Sequence, residues 1–203
     1  MRPLIHVVDD DESLRDSLID LLRAAGFDAM GYGSTGEFLL QPLPERPGCL
    51  LLDVRLPGPS GLELQAALRS RGLQLPIVFL TGYADVPTTV RAVKAGAVDV
   101  LEKPVDRDRL LQAIGTALAG DAQARAARQA QADRDARLTS LTAREREVFE
   151  RIVAGERNQA IADALGVSLR TIKAYRAQLM AKLGVATAAE LGRLAGESED
   201  RGR

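Results

Sequence analysis

The sequence predicts an α/β protein: a five-stranded, doubly wound parallel sheet followed by a small all-α domain of four helices. Three observations predict it. Short apolar runs recur at residues 4–8, 28–32, 49–54, 76–80 and 98–101, with helix-like stretches between them. Parallel neighbours need helical crossovers, so this alternation within residues 1–120 belongs to an open sheet covered on both faces. From Leu138 onward the strand-like runs cease and only short helical patterns remain.

Each element has a local reason. LIHVV (4–8) is continuously apolar, as a strand buried on both faces must be. Asp11 and Glu12 suit the start of the helix that follows, and Gly26 suits its end. DAMGY (28–32) is the weakest strand, because Asp28 and Gly31 are poor strand formers. Ser34 with Glu37 then forms an S-x-x-E capping box. CLLLDV (49–54), PIVFL (76–80) and VDVL (98–101) are the remaining strands, with Pro87 near the start of the fourth helix and Gly96 after it.

Residues 121–137, DAQARAARQAQADRDAR, lack a strong apolar stripe and read as a helical linker continuing the preceding helix. Four helices are expected beyond it, at 142–154, 158–165, 168–183 and 187–194, with capping boxes at Thr142/Glu145 and Thr187/Glu190. The expected division is 1–120, a linker at 121–137, and 138–203.

Composition excludes several classes. With 46% apolar and 27% charged residues the chain is globular, and its longest apolar runs fall far short of the roughly 20 residues that span a bilayer. The N-terminal MRPLIHVVDD has no long apolar segment with a small-residue cleavage site. Cys49 is the only cysteine, so no intrachain disulfide is possible and a cytoplasmic location without membrane attachment is expected. Residues 138–203 are the more basic part, with 11 Lys and Arg against 9 Asp and Glu, whereas 1–120 carry 12 against 16.

The stretch IHVVDDDESLR places four acids in a row where a buried strand ends. In a doubly wound sheet of order 2-1-3-4-5, sites form beyond the carboxyl ends of strands 1 and 3, where the strand order reverses. Asp9 and Asp10 end strand 1 and Asp53 ends strand 3, so their carboxylates converge on a space suited to one small cation. Oxygen-only donors point to Mg²⁺. Thr81 ends strand 4 and Lys103 follows strand 5, adding a hydroxyl and an ammonium along the same edge. This set suits phosphoryl transfer with Asp53 as the carboxylate nucleophile. Asp11 and Glu12 read as helix-start residues only.

The motifs VVDDD, LLLDVRLPGPSGLEL, FLTGYADV and KAGAVDVLEKP resemble the flavodoxin-like receiver domain of bacterial two-component response regulators. That resemblance implies a phosphorelay in which Asp53 takes its phosphoryl group from a sensor histidine kinase. It further implies that Asp10, Asp53 and the backbone carbonyl of Arg55 bind Mg²⁺ with help from Asp9, and that Thr81 and Lys103 contact the phosphoryl oxygens. The Lys103-Pro104 bond is a candidate for the cis form. One departure stands out: the family's switch aromatic is Val100 here. The expectation is that Thr81 and the loop at 82–87 carry the switch without an aromatic rotor.

In the C-terminal part, NQAIADAL, GV and SLRTIKAYRAQLMAKL spell helix, tight turn, helix. At 100° per residue Arg170, Lys173, Ala174, Ala177 and Ala181 share one face, opposite Ile172, Leu179 and Leu183. Arg170, Thr171, Lys173, Ala174, Arg176 and Lys182 are therefore the candidate DNA contacts, with Lys173 best placed for base edges and Arg176 and Lys182 for phosphates. The pattern resembles the LuxR-type helix-turn-helix over 138–195, and the two halves together resemble a response regulator of the FixJ/NarL type, most like the FixJ branch. Tyr175 and Gln159 stand where that branch often has His and Lys.

The resemblance implies promoter DNA and RNA polymerase as partners, and a homodimer formed on phosphorylation through residues 87–101, with the helix from Thr187 helping at the DNA. Its chemistry would extend only to its own phosphorylation and dephosphorylation, so it is not expected to be an enzyme on other substrates. Two other readings exist. An Asp-based phosphohydrolase is disfavoured because Arg55 stands two residues after Asp53, where an acid is wanted. A receiver-linked RNA-binding antiterminator would lack the GVS turn and the basic helix.

Overall fold

A computed structural model describes residues 1–42, 46–82 and 86–199, with side chains as far as Gly196 in the last helix. The chain divides into two compact units, Met1–Arg125 and the residues from Ala126 onward. Asp121, placed by sequence in the linker, belongs to the first: its buried carboxylate accepts the Gly48 N–H at 3.1 Å and Arg125 Nε at 2.7 Å.

The first unit is a parallel sheet of order β2-β1-β3-β4-β5. Its strands are β1 (Leu4–Val8), β2 (Asp28–Tyr32), β3 (Gly48–Asp53), β4 (Ile77–Thr81) and β5 (Asp99–Glu102). Helices α1 (Glu12–Ala24), α2 (Thr35–Leu39), α3 (Gly61–Ser70), α4 (Val86–Lys94) and α5 (Arg107–Thr139) alternate with them. Side chains alternate across each strand, which explains why unbroken apolar runs serve a sheet covered on both sides. Ile5, Val7, Leu51, Val78 and Leu80 join α1 and α5 in one core; Val8, Leu50, Leu52, Ile77 and Phe79 join α2, α3 and α4 in the other.

β2 forms despite its poor strand residues, paired with β1 from Leu4↔Asp28 to Val8↔Tyr32, while the Asp28 carboxylate holds Arg46 at 2.6 Å. Pairing and burial outweigh propensity there. Ser34 caps α2 as expected, accepting the Glu37 N–H, but the Glu37 carboxylate reaches back to the Gly33 N–H at 2.7 Å, one residue earlier than a capping box needs. Sequence reading missed the complete box of Ser60 and Glu63 at α3.

His6 in β1 is 3% exposed, with Nδ1 3.0 Å from the Tyr32 hydroxyl and the Phe38 ring edge-on. Burial, reinforced by the charge of Arg46, holds its pKa down at about 4 against the ordinary 6.5. The folded imidazole stays neutral where the unfolded one takes a proton. Its stabilising contribution is therefore complete above about pH 6.5 and is lost as pH falls toward 4. Urea midpoints measured at pH 7 and pH 4.5 should differ less in His6→Leu than in wild type; an equal difference contradicts the assignment.

The second unit continues from α5 through α6 (Ala143–Val153), α7 (Asn158–Leu165), α8 (Leu169–Leu183) and α9 (Ala188–Glu199). Val148, Phe149, Ile152, Ile161, Ile172, Leu179, Leu183 and Leu191 make its core. α5 runs without a break through residues 121–137, and no helix among the described residues is long and apolar enough to cross a membrane.

Candidate functional site

The site of the first unit lies at the carboxyl edge of the sheet. Asp9 follows β1, Asp53 and Thr81 end β3 and β4, and Lys103 follows β5, its N–H bonded to the Thr81 carbonyl at 2.7 Å. Parallel pairing brings these strand ends level. The Lys103 ammonium donates to Asp9 at 2.7 Å and to Asp53 at 2.5 Å, across 94 and 50 residues of sequence. Asp9 is fully buried, Asp53 is 6% exposed and Thr81 2% exposed.

Each carboxylate uses its other oxygen on the backbone: Asp9 accepts the Asp11 N–H at 3.1 Å, and Asp53 the Arg55 N–H at 2.9 Å. Burial raises the pKa of Asp9 above its ordinary value, opposed by Lys103. For Lys103, burial alone would lower the pKa, but Asp53 and Asp9 outweigh it and hold it above the ordinary range. A cation thus offsets the repulsion among the acids.

Asp10 is exposed beside them, and one carboxylate oxygen from each of Asp9, Asp10 and Asp53 lies within 4.8 Å of the others. Three hard oxygen donors so close fit Mg²⁺ and offer no nitrogen or sulfur for a softer metal. Arg55 is placed by its N–H on Asp53. Asp11 is the N-cap of α1, accepting the Leu14 N–H at 3.0 Å, as its sequence position suggested.

Two contributors were not foreseen. Arg15 donates to the Asp9 carbonyl at 2.8 Å, fixing the turn after β1. At Gly61 a Cβ would lie 2.2 Å from the Asp53 carbonyl oxygen, so α3 can begin against the end of β3 only on glycine. A sequence shows the turn at Ser60-Gly61 but not what it packs on.

The Lys103-Pro104 bond is cis. Val100 is half-buried opposite Phe79 and packs on the core beneath α4. Of the expected switch loop, residues 83–85 lie outside the described residues.

In the second unit Gly166 ends α7 in the left-handed conformation at φ 64°, and the Ser168 hydroxyl caps α8 by accepting the Thr171 N–H at 3.1 Å. Ile172, Leu179 and Leu183 face the core, which leaves Arg170, Lys173, Ala174, Ala177 and Ala181 exposed, with Arg176 at the margin. Thr171 sits at the helix start, its hydroxyl 2.8 Å from that of Ser168.

Lys182 is tied to α6 and the turn before it: its ammonium donates to Glu145 at 2.8 Å and to the Ser140 carbonyl at 2.9 Å. The Lys182 bond, together with the Thr142 N–H, holds the Glu145 carboxyl down at about 2. Gln159 is likewise engaged, donating to Asp163 at 2.8 Å, and Tyr175 packs against the core.

An acidic, lysine-bridged crevice on one unit and a helix-turn-helix on the other define a DNA-binding regulator controlled through a receiver. Residues 5–115 match the response regulator receiver domain and 139–195 the bacterial regulatory proteins of the luxR family, and the chain belongs to the two-component response regulators that combine them. It is 40% identical to the transcriptional regulatory protein FixJ of Azorhizobium caulinodans over 94% of this chain and 90% of that one. With the C4-dicarboxylate transport transcriptional regulatory protein DctR of Rhodobacter capsulatus it shares 41% identity over 94% and 98%. Among solved structures, the response regulator StyR matches with TM-score 0.85 and 42% identity over 97% of this chain and all of that one. Full-length FixJ from B. japonicum matches with TM-score 0.59 and 41% identity over 96% of both.

Proposed function

We propose that Asp53 accepts a phosphoryl group from a sensor histidine kinase in the cytoplasm, and that this modification controls promoter binding through α8. The observation that carries the reading is the Lys103 ammonium held between Asp9 and Asp53 at the end of the sheet. A carboxylate oxygen of Asp53 attacks phosphorus, and the P–N bond of the kinase phosphohistidine breaks with its electron pair leaving on the imidazole nitrogen. Lys103 and the Thr81 hydroxyl receive the phosphoryl oxygens. Asp9, Asp10, Asp53 and the Arg55 carbonyl would hold Mg²⁺, which when bound would supply charge neutralisation. Hydrolysis of the same acyl phosphate resets the protein, and no other substrate is turned over. Acetyl phosphate with MgCl₂ should raise affinity for promoter DNA in a gel-shift assay; an unchanged affinity counts against the reading.

Pairing of two copies is supported by the apolar face of α4 and the residue just before β5: Val86, Val90, Val93 and Val98 are 74, 42, 53 and 36% exposed. Such a patch on a soluble unit marks an interaction surface. In sedimentation velocity with beryllofluoride, wild type should dimerise and Val90→Glu stay monomeric; a dimeric variant places the interface elsewhere. RNA polymerase is the further partner at the promoter.

On α8, the exposed alanines let the helix approach a major groove with Lys173 toward base edges. Lys173→Ala should weaken specific binding by about 1–3 kcal/mol and relax sequence preference, whereas Arg176→Ala should weaken all sequences alike. Anisotropy titrations of matched and scrambled duplexes separate the two, and equal losses for Lys173→Ala would make it a phosphate contact. The luxR-family match supports duplex DNA over RNA as the target.

A further inference from the structure

At the end of the sheet opposite Asp53, a cavity of about 390 Å³ opens beneath the amino ends of β4 and β5. Leu68, Leu75, Ile77 and Val98 contribute to its apolar wall, and Gln65, Arg69, Gln74 and Asp121 are its polar residues. That size and lining are those of small-molecule sites, where a few polar groups orient an apolar guest.

Two features argue that the space has a use. Gly120 stands inside α5 at the cavity wall, where a Cβ would touch nothing within 4 Å. Glycine weakens a helix interior relative to alanine, and here no neighbour requires it. Its missing side chain leaves the cavity wider. Gln65 is 5% exposed, yet its Oε1 is buried without a hydrogen-bond partner, and its Nε2 reaches the Ala92 carbonyl only at 3.4 Å. A buried acceptor left unpaired destabilises the fold, and so little holds this amide that a small rotation can offer its oxygen to a guest.

The charge balance narrows the guest. The Asp121 carboxylate already accepts the Gly48 N–H and pairs with Arg125 at 2.7 Å, so the cavity offers a cation no uncompensated negative charge, and the one other charged group of the lining, Arg69, is exposed to water. We propose that this cavity binds a small, neutral, largely apolar molecule bearing one N–H or O–H donor, which pairs with Gln65.

Indole and 1-methylindole, which differ by that donor, test it in ¹⁵N spectra of the full chain. Indole should give saturable shifts at Leu68, Ile77, Gly96 and Gly120, and 1-methylindole should bind about three- to ten-fold more weakly. Gln65→Met should equalise the two ligands. Gly120→Leu should abolish binding of both while its melting temperature stays at or above wild type, since leucine favours the helix. Absence of saturable shifts with indole overturns the proposal, as does equal affinity of wild type for both probes or a water on Gln65 that indole does not displace.

Discussion

Asp53→Asn abolishes uptake of label from acetyl phosphate and, with it, any effect of phosphodonor on DNA binding. The amide is neutral and a far weaker nucleophile than the carboxylate it replaces. Its size is the same, and the oxygen that accepts the Arg55 N–H at 2.9 Å can be kept, so the end of β3 holds its shape. Asp9 remains to partner Lys103 at 2.7 Å, so the variant folds. The measurement is radiolabel per mole of protein at neutral pH with MgCl₂, beside a thermal melt. Label retained at wild-type yield would transfer the role to another carboxylate, with Asp10 the first to examine.

Removing the cation has the larger effect on stability. In Lys103→Met the fully buried Asp9 and the nearly buried Asp53 face one another without the ammonium that lies between them. Breaking a buried ion pair by deleting one partner costs roughly 3–5 kcal/mol, because the remaining charge has been taken out of water. The same carboxylates form the oxygen cluster with Asp10, so Mg²⁺ should restore part of the loss and stabilise the variant more than wild type. Urea unfolding with and without MgCl₂ measures both. A variant as stable as wild type, with no added metal dependence, would show that the ammonium does not hold the acids together.

Much of this was legible because it is local. Ser34, Thr142, Ser168 and Thr187 sit beside the N–H groups they cap, and a helix start needs only residues three or four apart. The alternating elements fixed the crossover topology, and topology carries strand ends to one edge, so Asp9, Asp53, Thr81 and Lys103 could be grouped from sequence. Family resemblance then added roles that spacing alone did not.

What escaped was long-range. Lys182 looks like one more cation on a basic helix until α6 brings Glu145, 37 residues away, against it. Asp121 looks like linker until the amino end of β3 presents the Gly48 N–H, 73 residues away. Gly61 looks like a turn residue until α3 meets the Asp53 carbonyl.

The sequence by itself determined the two-part architecture and the inventory of acids, hydroxyl and lysine, since these follow from periodicity and composition, while the strand order came from the receiver resemblance. Only the tertiary structure decided which cations are bound internally and which face outward, and that Lys103 bridges both acids. A charged side chain's partner depends on packing between distant segments, and no local pattern encodes that distance.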